Sequence, residues 1–165
     1  MKTKLQNILV ELDEWIEAEN ERRKIEEDYL LPKIIVRILG QCSLILHPSV
    51  TLNLFGTNDV DAIIKSSSGG FYEAQKKFIE ILKRENLELD SDSHLIWFPQ
   101  ESTFTIVLET PRIKCEVIDP LFALCSKAIK APEKNRILIQ QALVKYGDDL
   151  KNLIQKHGGN LEHFK

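Results

Sequence analysis

The sequence predicts a single α+β domain, in which a mixed α/β arrangement of segments builds a central mixed sheet flanked by helices. Its 165 residues suffice for one domain with a full core and are too few for two ordinary domains. Helical and β-type segments alternate in the first half, and strand-like runs precede helical runs in the second. The apolar fraction of 43% and the charged fraction of 28% are typical of soluble globular proteins.

The predicted domain covers residues 1–165 and has three consecutive parts. A long N-terminal helix covers residues 1–31 and stops at Pro32, which cannot continue a helix. Its apolar stripe recurs at three- and four-residue steps and consists of Leu5, Ile8, Leu9, Leu12, Trp15 and Ile16. The sheet core covers residues 33–118, and the C-terminal helices cover residues 119–157.

Within the sheet core, five segments are predicted as strands, one of which carries Asp59 and Asp61. Residues 34–39 are β-branched and almost continuously apolar, which is typical of a strand covered on both faces. The other candidates are residues 94–98, 103–108 and 112–118, and a hairpin-length connection joins the last two. The amphipathic pattern of residues 71–85 predicts a helix between the first strands and these.

Charge and hydropathy exclude several classes of protein. The net charge of −3 provides no general attraction to nucleic acid or to anionic membranes, so a polyanion would need a local basic patch. No apolar run approaches the ~20 residues that span a bilayer, and the first residues lack a signal-peptide pattern. We therefore expect a cytoplasmic protein without a membrane partner.

Three cysteines, Cys42, Cys115 and Cys125, stand among apolar neighbours and form no C-x-x-C pair. An odd number of scattered cysteines in a chain with an ordinary core favours reduced thiols. Free cysteine behaves as a small hydrophobic residue, so we expect all three to pack in the core.

Asp59 and Asp61 form the most informative motif of the sequence. On a strand, residues two apart point to the same face, so these carboxylates would lie side by side. Paired carboxylates repel each other and favour a bound cation, and oxygen ligands of this kind suit Mg²⁺. The alternative is an exposed turn that carries two acids, because aspartate is an ordinary turn residue.

Two further residues extend this motif. Gly40 lies at a predicted strand-to-helix turn, where backbone N–H groups bind phosphate and a glycine permits close approach; alternatively it only provides a tight turn. Glu116 lies on the polar face of a strand, as a third acid or as an exposed acid paired with Lys114 or Arg112. Asp119 competes for that role, but its place before a proline predicts a helix cap.

Together, the Gly40 turn, the Asp-x-Asp strand, the later acid and the closing helices resemble the DNA-polymerase-β-like nucleotidyltransferase superfamily. Its signature is a Gly-Ser or Gly-Gly turn followed by Asp-x-Asp. Within that superfamily, the chain is most similar to small bacterial nucleotidyltransferase-like proteins of the abortive-infection and toxin–antitoxin type. The matching stretches are residues 55–61 and residues 116–127, and the resemblance extends over roughly residues 33–145.

The resemblance implies a nucleotidyltransferase-like fold and a Mg²⁺-dependent transfer of a nucleotidyl group from a nucleoside triphosphate. The acceptor is unknown and would be an RNA, a protein or a small molecule. The implied catalytic and metal-binding residues are Asp59, Asp61 and Glu116. The implied contacts to the nucleotide are Gly40, Ser43, Thr57 and Lys127.

The chain also departs from the family pattern at three places. Gln41 stands where relatives have serine or glycine, Phe55 stands where they often have arginine, and residues 136–141 lack the lysine–aspartate pair of the family. These departures favour an alternative function, that of a catalytically weak or inactive protein acting as an interaction partner, for example in a toxin–antitoxin-like pair. The long N-terminal helix, charged in its second half, predicts a solvated face or a docking arm for a homodimer or a protein partner.

Overall fold

The computed structural model describes residues 1–66 and 68–165, which form five α-helices and two sheets in a mixed α+β fold. The helices are α1 (Lys2–Ile25), α2 (Gly40–Leu46), α3 (Tyr72–Arg84), α4 (Pro120–Lys130) and α5 (Arg136–Lys156). The strands are β1 (Ile34–Ile38), β2 (Asp59–Val60), β3 (Ala62–Ser66), β4 (Glu88–Leu89), β5 (Phe104–Glu109) and β6 (Ile113–Ile118). None of the helices in these described ranges is long and apolar enough to cross a bilayer.

The larger sheet has the strand order β3-β1-β6-β5, so the predicted mixed sheet is confirmed. Strand β1 runs antiparallel to β3 and parallel to β6, and β5 and β6 form the predicted hairpin. The carboxyl ends of β1 and β6 therefore meet the start of β3 at one edge of this sheet. The smaller sheet pairs β2 with β4 in parallel.

Helices cover both faces of the larger sheet. Helices α1 and α3 pack on the face that carries Ile113, Cys115 and Val117 of β6. Helices α4 and α5 pack on the opposite face, together with Ile118 and Leu39. Strand β1 buries Ile34, Val36 and Ile38 in the core on the α1–α3 side, whereas Ile35 and Arg37 on its other face are half-buried, so the predicted covering of both faces is incomplete.

All three cysteines are buried and free, which confirms their predicted packing role. Burial raises the pKa of Cys42 and Cys115 to about 12 and that of Cys125 to about 11. Their thiols are therefore protonated and unreactive at neutral pH.

The N-terminal helix ends earlier than predicted, at Ile25 rather than at residue 31. The chain turns through a left-handed conformation at Glu27, with φ of 57°. Arg23 holds this turn against the helix, since its guanidinium donates to the carbonyl oxygen of Tyr29 at 2.8 Å and forms an ion pair with Glu73. Pro32 therefore does not stop the helix.

One predicted strand is wrong. Residues 94–98 form no strand: Ser93–Leu95 is a 3₁₀ turn, because the Ser93 hydroxyl bonds the carbonyl oxygen of Asp90 at 2.7 Å and the N–H of Ala62 at 3.1 Å. Helix α5 extends from Arg136 to Lys156, and Gly147 divides it by a kink with non-helical dihedral angles (φ 55°, ψ −131°).

Candidate active site

Asp61 lies at the point where the chain passes from the smaller sheet to the larger one. Its carbonyl oxygen accepts a hydrogen bond from the N–H of Leu39 at 2.8 Å, which ties the start of β3 to the end of β1. Its carboxylate rests directly on Gly40: a Cβ at that glycine would lie 1.8 Å from Oδ2 of Asp61. Gly40 also has a φ of +58°, which side-chain-bearing residues rarely adopt. The glycine is therefore required for Asp61 to occupy this position.

Asp90 supplies the neighbouring carboxylate. Strands β2 and β4 pair Asp59 with Glu88 and Val60 with Leu89, and one further step along this parallel register places Asp61 beside Asp90. The N–H of Asp90 donates to the carbonyl oxygen of Val60 at 3.0 Å, so the alignment continues past the strands. The two carboxyl groups lie within hydrogen-bonding reach of each other.

The charges at this point are unbalanced. Burial, and then the negative charge of Asp90, raise the pKa of Asp61 to about 6, while Lys127 acts in the opposite direction without compensating them. Burial also lowers the pKa of Lys127, and the nearby Asp61 carboxylate partly opposes that change. Like charges held together in a partly desolvated site are arrangements that folds typically keep for function.

The acids face a cavity of about 620 Å³ between the loop before β2 and the start of α5. Its charged lining consists of Asp59, Asp61, Asp90, Glu133, Lys127, Lys134 and Arg136. A second cavity of about 180 Å³ shares Asp61 and Lys127 with the first and has mainly apolar walls, including Leu39, Ile96 and Phe98. A polar cavity and a smaller apolar one thus meet at Asp61 and Lys127.

Thr57 and Lys127, two of the residues predicted to contact a nucleotide, line the larger cavity. The Thr57 hydroxyl accepts a hydrogen bond from the N–H of Asp59 at 3.2 Å and so shapes the turn before the acids. Ser43, by contrast, is fully buried, and its hydroxyl donates to the carbonyl oxygen of Gly40 at 2.8 Å. Gly40 lines the smaller cavity, where it makes room for Asp61.

Glu116 is not the third carboxylate of this cluster; that position belongs to Asp90. Glu116 lies opposite Arg37 in the parallel register of β1 and β6, and its Oε1 accepts a hydrogen bond from Arg37 Nε at 2.7 Å. Lys114 Nζ lies 3.3 Å from Oε2. Burial would raise the pKa of Glu116, but the bonds and charges of these two bases hold it below its ordinary value. Glu116 is therefore an internally neutralised acid of the sheet.

Asp119 occupies the N-cap position of α4, as predicted, but its side chain does not cap the helix. Its Oδ1 accepts a hydrogen bond from the Thr105 hydroxyl at 2.6 Å, and Thr103 bonds Oδ2. His47 Nε2 lies 3.3 Å from Oδ1. Asp119 thus joins the β5–β6 hairpin to α2.

Sequence reasoning missed Asp90, Lys134 and Asn135. The short alternating stretch before Asp90, at residues 87–90, resembles the stretch at Val60 and Asp61 and is the signal that could have identified it. Lys134 and Asn135 line both cavities from the turn between α4 and α5. No periodic pattern marks that turn, so the sequence contains no comparable signal for them.

The donor set of the cluster fits Mg²⁺. Asp61, Asp90 and Asp59 provide oxygen ligands alone, and this ion typically takes one or two carboxylates and completes its shell with water and substrate phosphates. Within residues 1–66 and 68–165, no three side chains are arranged to hold a cation by themselves.

Comparisons of the chain with protein-family models, with curated proteins and with solved structures find no match. The resemblance to nucleotidyltransferases therefore rests on the sequence motif and stays a prediction.

Proposed function

We propose that the protein is a Mg²⁺-dependent nucleotidyltransferase that uses a nucleoside triphosphate as donor. One observation carries this proposal: the neighbouring carboxylates of Asp61 and Asp90 face a cavity that Lys127, Lys134 and Arg136 also line. A triphosphate complexed with Mg²⁺ has the complementary charges, because its cation suits the acids and its phosphate oxygens suit the bases.

The residues around Asp61 would have different roles in this reaction. Asp61 and Asp90, with Asp59 beside them, would hold Mg²⁺, which when bound neutralises phosphate charge and makes the attacking hydroxyl a better nucleophile. Lys127 is half-buried and burial lowers its pKa, so its amino group would meet phosphate oxygens in a partly desolvated position. Gly40 keeps the Asp61 carboxylate at the junction of the two cavities.

The proposed reaction conserves atoms and charge. The acceptor oxygen forms a bond to the α-phosphorus, and the bond from that phosphorus to the α–β bridging oxygen breaks. Pyrophosphate leaves with the electron pair, while the hydroxyl proton passes to a carboxylate of the cluster. We propose that the acceptor binds in the smaller cavity, which adjoins the larger one at Asp61 and Lys127.

The contacts of the structure weaken two of the arguments against catalysis, those from Gln41 and from the missing lysine–aspartate pair in residues 136–141. The Gln41 side chain donates to the carbonyl oxygen of Phe55 at 3.2 Å, so it is held along the cavity wall. Lys134 and Asn135 line the cavity and supply charge and hydrogen bonds near the stretch that lacks the family's lysine–aspartate pair.

Thermal unfolding with each of the four ribonucleoside triphosphates, with and without Mg²⁺, tests the proposal. A ligand at 100 times its Kd stabilises the native state by about 2.7 kcal/mol, so specific binding raises Tm. We expect a Mg²⁺-dependent rise in the native protein and in the control Asp149→Asn, an exposed acid of α5, and its loss in Asp90→Asn. Transfer of label from an α-³²P triphosphate then identifies turnover. Absence of Mg²⁺-dependent stabilisation by every triphosphate contradicts the proposal.

A second candidate function, that of a non-catalytic interaction protein, is favoured by the surface at the end of α1. Ile25 and Tyr29 are 84% and 90% exposed, and Leu30 beside them is 49% exposed. Exposed apolar side chains next to a charged helix are typical of a contact surface, for example between two copies of the chain. Sedimentation of the native protein and of Tyr29→Ser distinguishes the two functions. A native protein that is monomeric at all concentrations and has full nucleotidyltransferase activity contradicts this candidate.

A further inference from the structure

We propose that Phe55 and Ile137 form a nucleobase-binding subsite at the far end of the larger cavity. The inference rests on the proposed function and deepens it, since it assigns which part of the triphosphate meets which wall. It also gives a role to Phe55, whose ring takes no part in the charge chemistry of the acids.

Each of the two walls of the cavity changes from charged residues to apolar and amide-bearing residues. Along the loop before β2, the lining passes from Asp59 through Thr57 to Phe55 and Asn53. Along the other wall, it passes from residues 134–136, which carry two positive charges, to Ile137, Leu138 and Gln141 of α5. With a rise of about 1.5 Å per residue, Gln141 lies roughly 7.5 Å along the helix from Arg136, the first residue of α5. A charged end is thus followed on both walls by an apolar end with amide groups.

A nucleoside triphosphate likewise passes from a charged end to an apolar end, over a comparable length. Its phosphates and cation form the charged end, and its base forms a flat apolar surface with hydrogen-bonding edges. Asn53, Gln41 and Gln141 carry amide groups, which donate and accept hydrogen bonds and bear no charge. Such groups suit a neutral heterocycle rather than a second anionic group, which favours a base over a longer phosphate chain.

The exposure of the two apolar side chains supports this assignment. Phe55 is 85% exposed and Ile137 is 68% exposed, although both line the cavity. Neither therefore contributes much to the core, and each has apolar surface that a ligand can cover. The bond from Gln41 to the backbone of Phe55 fixes the loop that presents the aromatic ring. A held aromatic ring is a stacking surface for any base.

Calorimetric titration with Mg²⁺ complexes of the four ribonucleoside triphosphates and of inorganic tripolyphosphate tests the subsite. Tripolyphosphate presents the charged end without a base. We expect Phe55→Ala to bind the preferred triphosphate at least 10-fold more weakly, because loss of base stacking is worth roughly 5- to 100-fold in affinity. Its affinity for tripolyphosphate should not change. Ile137→Ala should show a smaller loss of the same kind, and Phe55→Trp should retain binding.

Val144→Ala is the matched control, since Val144 is an 89% exposed apolar residue of the same helix and does not line the cavity. Unchanged triphosphate affinity in Phe55→Ala, or an equal loss for tripolyphosphate, overturns the inference. If the native protein binds tripolyphosphate as tightly as every triphosphate, the subsite is refuted while the proposed function stands. If the native protein binds none of these Mg²⁺ complexes, the proposed function fails, and the subsite with it.

Discussion

Asp61 and Glu116 are both largely removed from water beside the same sheet. Basic side chains neutralise the carboxylate of Glu116, whereas the carboxylate of Asp61 is not neutralised. Glu116 is 6% exposed and has Arg37 and Lys114 as partners, which keep its pKa below the ordinary value despite burial. Asp61 has another carboxylate beside it, and burial and that charge raise its pKa to about 6. The first acid stabilises the fold, while the second costs stability and thereby creates a place for a cation.

Two other acids that are buried or half-buried, Asp13 and Asp119, follow the pattern of Glu116. Asp13 is 7% exposed, and bonds from Arg112 and Thr110 outweigh its burial and lower its pKa. Hydrogen bonds from Thr103 and Thr105 do the same for Asp119. Because the chain neutralises these acids, the unbalanced pair at the cavity is a local exception, of the kind found at functional sites.

The largest expected effect comes from breaking the neutralised group. Glu116→Ala removes the partner of a partly buried Arg37, and loss of one member of a buried ion pair costs about 3–5 kcal/mol. We expect a marked fall in the free energy of unfolding, measured by urea denaturation. Glu116→Gln keeps the shape and part of the hydrogen bonding, so it should lose less. Equal stability of Glu116→Ala and the native protein would contradict the role assigned to this pair.

The substitution Asp61→Asn should change the free energy of unfolding in the opposite direction and raise it at pH 7. A pKa of about 6 instead of 3.8 corresponds to roughly 3 kcal/mol of destabilisation while the group is ionised. As the pH falls through 6 the native carboxyl binds its proton before the unfolded one does, so the native protein regains stability. The advantage of the asparagine variant should therefore shrink from pH 7 to pH 4, while Mg²⁺-dependent nucleotide binding is lost at every pH.

Asp13→Asn is the matched control for the sign of this effect. The pKa of Asp13 is lowered, so its contribution is present at neutral pH and is lost as the pH falls through the folded-state pKa. We therefore expect this variant to be less stable than the native protein at pH 7. Unfolding curves between pH 4 and 7 for both variants provide the measurement, and two variants with shifts of the same sign would refute the contrast.

Gly40→Ala should have a smaller effect that depends on Asp61. The left-handed backbone at residue 40 costs an alanine about 1–2 kcal/mol, and the added Cβ forces the Asp61 carboxylate away. In Asp61→Ala the obstructing atoms are absent, so the same glycine substitution should cost less. A double-mutant cycle on the free energy of unfolding measures this coupling. Additive single effects would show that Gly40 does not hold Asp61 in place.

Local patterns in the sequence were sufficient to predict the secondary-structure elements that surround the site. The β-branched run and its terminal glycine predicted β1 and the start of α2, and the short connection predicted the β5–β6 hairpin. The partner of Glu116 could not be predicted in the same way. Arg37 meets it through parallel pairing of strands far apart in the chain, and no local pattern specifies that pairing.

Asp90 escaped prediction for a related reason. The alternating stretch at residues 87–90 is short, and the parallel alignment of β2 with β4 depends on the position of α3 between them. The turn that carries Lys134 and Asn135 lies against the acids only after α4 and α5 have packed on the sheet. Sequence reasoning therefore located the paired aspartates and missed the groups that tertiary structure brings to them.

The shortness of the β2–β4 ladder has a consequence for the motions of the site. Asp61 and Asp90 are aligned by few backbone bonds, among them those from the N–H groups of Glu88 and Asp90 to Asn58 and Val60. So small a ladder opens at a lower free energy than the strands of the main sheet, and opening it separates the two carboxylates. A cation held by both acids would close it again, so the amide hydrogens of Glu88 and Asp90 should exchange more slowly whenever the site is filled.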